Sequence, residues 1–153
     1  LQNADLTGAM LFAANAAAAD FSGAKLEHAL MGSVRFTRAI FENANLTRSD
    51  LGEARMNDAR LANATLTGAY LHQATLFRAD MRGIVADKTH FLYADMRRVD
   101  LRGAMLRSAS LGWADLADSN LNGANLESAN MIGTNLRNAD LTGTRMPDNT
   151  VHP

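Results

Sequence analysis

Two histidines and two Asp–Arg pairs are the residues here whose types and spacing could do chemistry: His72 with His90, Asp80 with Arg82, and Asp100 with Arg102. Two imidazoles could begin a metal site, and two nearby carboxylates could divide general acid and base work. Six methionines (Met31, Met56, Met81, Met96, Met131 and Met146) could offer thioether ligands. Each set reads better in another way. The histidines lack the spacing of a helical metalloprotease motif, and neither a phosphate-cradling Gly-rich loop nor a nucleophile elbow is present. Methionine at a fixed spacing is core filler, and aspartate beside arginine is a solvated charge ladder. There is no cysteine, which excludes disulfides and thiolate metal sites. Fifteen basic and sixteen acidic residues leave a net charge of −1, so no long-range pull toward nucleic acid or an anionic membrane is expected. No apolar run is long enough to cross a membrane as a helix. The expectation is a protein with no catalytic, cofactor-binding or metal-binding residue, and not an enzyme.

What positions these groups is a five-residue period. In SNLNGANLESANMIGTNLRNADLTG (residues 119–143), Leu121, Leu126, Met131, Leu136 and Leu141 recur every fifth position, each preceded by Asn or Asp. A helix face repeats near 3.6 residues and a strand face every 2, so neither explains five. Counted from Leu1 to Val151, all 31 positions of this frame are apolar, so the frame never slips. Two residues before each large residue, 21 of 30 positions are Ala, and the residue just before it is Asp or Asn in 14 of 30.

Units such as ANLES, ADLTG, ARLAN and ATLTG resemble the A(D/N)LXX units of the pentapeptide-repeat family, along essentially the whole chain. The resemblance implies an all-β fold, a right-handed quadrilateral parallel β-helix in which four pentapeptides make the four sides of one coil. Residues 1–146 would form the β-helix, in about seven and a half coils and roughly 36 Å long, with 147–153 as a C-terminal tail. The large residue would point inward from each side, and Ala would fill the tight space near a corner. Asp or Asn would hydrogen-bond local backbone in the turn. The inward residues, Val151 included, then form four columns beginning at Leu1, Leu6, Leu11 and Ala16, which define sides one to four. Ala16 and Ala86 leave gaps that Phe21 and Phe91 could fill, with Ile84 adding volume near the second. Such a rod is convex and offers no cleft for Ser, His and Asp to share.

The outward residues separate the sides. Side four displays Arg35, Arg38, Arg55, Arg78, Arg97, Arg98 and Arg137 against Asp58, Asp95, Asp115 and Asp118. Interleaved carboxylates weaken any phosphate track, so direct nucleic-acid binding is not expected. Side three displays Met10, Phe12, Leu30, Tyr70, His72, His90, Leu92, Tyr93, Trp113 and Ile132, with only Asp50 and Glu53 charged. The sole Trp and both Tyr lie there, and Tyr70, Tyr93 and Trp113 are expected to form a column along the axis.

These ten residues are the expected partner-binding surface of a non-enzymatic scaffold. The partner would be a protein, another segment of a longer parent chain, or a second copy placed end to end or side to side. The chain begins in frame at Leu1 without Met, so it reads as part of a longer protein in which other residues cover the exposed strand edge. A bacterial cytoplasmic setting is expected, with a secreted effector as the alternative. The resemblance carries a second functional reading, because the family's quinolone-resistance members mimic duplex DNA and bind DNA gyrase. Near-zero net charge and the arginines of side four depart from that pattern.

Overall fold

The fold follows from where each repeat sends its backbone hydrogen bonds. The computed structural model describes residues 1–153 and contains no helix. Each repeat closes a tight turn. In the repeat that starts at Leu61, the Ala64 N–H donates to the Leu61 carbonyl at 2.9 Å, and Asn63 sits at φ +60°. A positive φ at the third residue of a turn is what a type II turn demands. Three other N–H groups of the same repeat cross to neighbouring coils: Leu61 to Asp80 at 2.7 Å, Asn63 to Arg82 at 2.9 Å and Thr65 to Ala44 at 2.9 Å. Residue n pairs in parallel with residue n + 20, from Asp5 with Lys25 to Asn125 with Arg145. Four turns of five residues therefore close each coil, and the period of five is one side of a parallel β-helix.

That pattern leaves one donor per repeat, the N–H just after the large residue, without a backbone partner. All 14 Asp and Asn residues that precede a large residue serve it: Asp50 accepts from Gly52 N–H at 3.0 Å and Asn125 from Glu127 N–H at 2.9 Å. Where the preceding residue is not Asp or Asn, the coil below can substitute, as Asn57 does for Phe77 N–H at 3.2 Å and Asp87 for Arg107 N–H at 2.9 Å. An unpaired backbone donor is costly, which explains the preference for these two side chains at that position.

The inward columns make one core of 41 residues, continuous from Phe21 to Ala129. Its first coils are aromatic. Phe21 stacks on Phe41 at 5.0 Å, and Phe36 meets both edge-on, at 5.6 Å from Phe21 and 4.9 Å from Phe41. Ala86, Ile84 and Phe91 are all fully buried. Where Ser or Thr replaces the small Ala inside, its hydroxyl donates to a backbone carbonyl, Thr89 to Leu66 at 2.6 Å and Thr144 to Leu121 at 2.7 Å.

Two residues expected inside are outside. Leu1 is 63% exposed because its coil has a neighbour on one side only. Val151 is 58% exposed because the chain reverses after Pro147: Asn149 takes φ +70°, and Val151 pairs antiparallel with Arg145. The tail thus lies back on the last coil, with Met146 N–H donating to Thr150 at 2.7 Å and His152 N–H to Thr144 at 2.8 Å.

Candidate docking surface

Side three is the only side on which Gly occupies the position after the inward residue, at Gly32, Gly52 and Gly112. Each is buried, and each is covered by a large side chain from an adjacent coil. A Cβ on Gly32 would come within 3.3 Å of the Phe12 ring and on Gly112 within 3.2 Å of Leu92, and one on Gly52 would run into the His72 ring. At the corner, Gly133 is covered in the same way by Trp113, 2.6 Å from where a Cβ would stand. Phe12, His72, Leu92 and Trp113 thus pack over glycines of the adjacent coil. The sequence carried this signal in the column of the three glycines, but it is meaningful only once residues 20 apart are known to be neighbours.

All ten residues expected at this surface are exposed and share side three. They do not form one aromatic column. Tyr70, on the strand-pairing row, stacks on His90 at 4.8 Å with the rings 4° from parallel, and this pair lies on the side-two half of the face. Tyr93 and Trp113 stand at the corner with side four, both at φ +57°. The left-handed region is uncommon for bulky residues, and Gly or Asn would occupy it with less strain.

Side four is a paired charge surface in part only. Arg97 grips Asp95 through two hydrogen bonds of 2.8 and 2.7 Å, and Arg78 holds Asp58 at 2.7 Å. The hydrogen bond from Arg97 is the main reason the Asp95 carboxyl stays below the usual carboxylate range. Phe77 sits beneath Arg78, Arg97 and Arg98, with guanidinium carbons 5.2, 5.7 and 5.8 Å from its ring centre. Sequence reading overlooked Phe77, since nothing local joins it to arginines one coil away. The Asp–Arg pairs of side one form the expected ladder: Arg82 forks onto Asp80 at 2.8 and 2.6 Å and reaches Asp100 at 3.8 Å. Arg102 closes on Asp100 at 2.6 Å. These aspartates also accept from turn N–H groups, which ties them to backbone structure. The one concavity, about 450 Å³ and open, lies on side two among Thr67, Asp87, Lys88, Arg107 and Glu127, and no apolar residue lines it.

Comparison with solved structures matches this geometry. The chain is similar to HetL, a pentapeptide repeat protein involved in heterocyst differentiation regulation from the cyanobacterium Nostoc sp. strain PCC 7120. That match has 25% identity and a TM-score of 0.65, covering 99% of this chain and 89% of HetL. It is also similar to trypsin-treated QnrB1 M102R, a plasmid-mediated fluoroquinolone resistance protein, with a TM-score of 0.71 over 94% of this chain and 68% of that one. Identity there is 19%, so the likeness is one of fold. No curated protein sequence matches. The family model for pentapeptide repeats matches in eight copies over residues 1–27, 19–58, 44–83, 54–91, 87–123 and 109–146. With repeats covering nearly every residue and a twenty-residue coil to hold them, the chain belongs to the pentapeptide-repeat family.

Proposed function

We propose that this chain is a non-enzymatic docking module, a stiff rod wound right-handed in about seven and a half coils that binds a protein partner through side three. One observation carries the reading. Of the eleven exposed large apolar residues, Leu1 and Val151 lie at the ends and Val85 on side two, and the other eight are all on side three. Scattered exposure is ordinary, but segregation to one side of four is what a docking patch looks like. Tyr and Trp are common binding anchors, and the scarcity of charge lowers the desolvation cost.

The test is Tyr93→Ser with Trp113→Ser, read by a melting curve alongside partner capture. Folding should be nearly unchanged while partner affinity falls by at least about 2 kcal/mol. Normal capture by the double variant places docking elsewhere. Mimicry of duplex DNA is not favoured, because Arg35, Arg38 and Arg55 stand on side four where such a mimic needs carboxylates.

A further inference from the structure

The charges of side four complement themselves when the side is reversed. Along its strand-pairing row run Arg35, Arg55, Thr75, Asp95 and Asp115, each bridged to the next. Inverted about Thr75, Arg35 falls opposite Asp115 and Arg55 opposite Asp95. The corner row runs Arg38, Asp58, Arg78, Arg98 and Asp118. Inverted about Arg78, Arg38 falls opposite Asp118 and Asp58 opposite Arg98. In the row between them, Arg97 falls opposite Asn57 and Phe77 opposite itself.

We propose that two copies of this chain associate antiparallel, side four against side four, about a twofold axis through the coil of Thr75 and Arg78. Such an axis lies in the contact plane and across the rods, so every row of one copy meets the same row of the other in reverse order. All four charged mirror pairs are opposite in sign. The one like-charge meeting is Arg78 with its mate, where each guanidinium is already held by its own Asp58 at 2.7 Å and rests 5.2 Å from the Phe77 ring. Arg35, Arg38 and Arg55 have no salt-bridge partner in their own chain, so the dimer supplies the carboxylates they lack. A face about seven strand spacings long and about 10 Å wide covers on the order of 400 Å² per copy, at the weak end of specific interfaces, so a weak dimer is expected. The same symmetry turns both side-three surfaces in one direction, flush along a seam edged by Tyr93 and Trp113. The dimer does not depend on a docking role for side three, and its test reads association alone.

The experiment is sedimentation velocity at about 10 to 500 μM, in the range where such an interface assembles. Wild type should dimerise. R35D/R55D and D95R/D115R should each weaken self-association at least about tenfold by setting like charges opposite. An equimolar mixture of the two should restore a dimer, since one presents four aspartates and the other four arginines along the facing row. R35D/R55D installs the residue type most frequent at that position of the repeat, so its fold is secure and its result decides even where the partner variant folds poorly. A monomeric wild type, variants that dimerise like wild type, or a mixture that fails to associate would each overturn the proposal.

Discussion

Sides one and three share a backbone and back onto the same core, and they differ in what they show to water. On side one, Asp80 and Asp100 each accept a turn N–H and a forked arginine, and the corners from Gly83 to Gly143 are glycine. Each of these residues is accounted for by folding: the aspartate completes the turn, the glycine relaxes the left-handed corner, and the exposed ion pair adds little. On side three, the corresponding row holds Tyr70 and His90, and the corner holds Tyr93 and Trp113 at φ +57°. Folding alone gains little from these choices. Side three thus carries bulky exposed residues at the positions where side one carries aspartate and glycine.

The largest expected effect comes from crossing between the outer and inner rows of side three itself. Leu71 is fully buried and its neighbour His72 is exposed. Leu71→Lys should cost more than about 5 kcal/mol by placing an unpaired ammonium in a dry core, and Leu71→Ala about 2–5 kcal/mol. His72→Lys should cost at most about 1 kcal/mol, through lost cover over Gly52. Urea midpoints of the three variants check the order.

Two corner glycines sharpen the comparison at smaller scale. Gly123, on side one, has φ +67° and open space where a Cβ would go, so Gly123→Ala should cost only the backbone strain, about 1 kcal/mol. Gly133, on side three, has φ +70° and the Trp113 ring in the way. Gly133→Ala should cost about 1 kcal/mol more and displace the sole tryptophan, with a shift in its fluorescence. An unshifted spectrum would mean that Trp113 does not lie over Gly133.

Acid should act through the aspartates of the turns. The Asp20 carboxyl is drawn down to about 2, chiefly by hydrogen bonds from the Ser22 hydroxyl and backbone N–H and from Gln2. The Arg82 hydrogen bond lowers Asp80 in the same direction. A carboxyl depressed by folding contributes stability in full above its unfolded pKa, about 3.9, and loses it as pH falls through the folded value. The melting temperature should therefore fall between about pH 4 and pH 2. Asp20→Asn keeps an acceptor for Ser22 and should flatten that fall. An unchanged slope would remove Asp20 from the account.

The inside of this molecule was legible in its sequence because one residue in five must be apolar and one in five small, whatever else changes. The role of Asp and Asn was legible too, since their bonds reach only two residues along the chain. Contacts one coil away were not. Tyr70 on His90, Phe77 under Arg97 and Arg98 and the glycines under Phe12, His72 and Leu92 depend on side-chain directions between residues about 20 apart. Val151 misled because it keeps the apolar frame after the backbone has left it at the Pro147 turn.

The smallest stability effect is also the sharpest test of what side three is for. Tyr93 stands 56% exposed at a left-handed corner whose counterparts on side one, Gly103 and Gly123, carry no side chain. Tyr93→Gly removes the strain of a bulky residue at positive φ, about 1 kcal/mol, and gives back part of that through greater freedom in the unfolded chain. The expected outcome is a melting temperature unchanged or slightly raised, together with weaker capture of the protein partner. That combination is the mark of a residue retained for binding at the expense of folding. A loss of more than about 1 kcal/mol would instead make the ring a structural brace, and sides one and three would then differ only in how they hold the same corner.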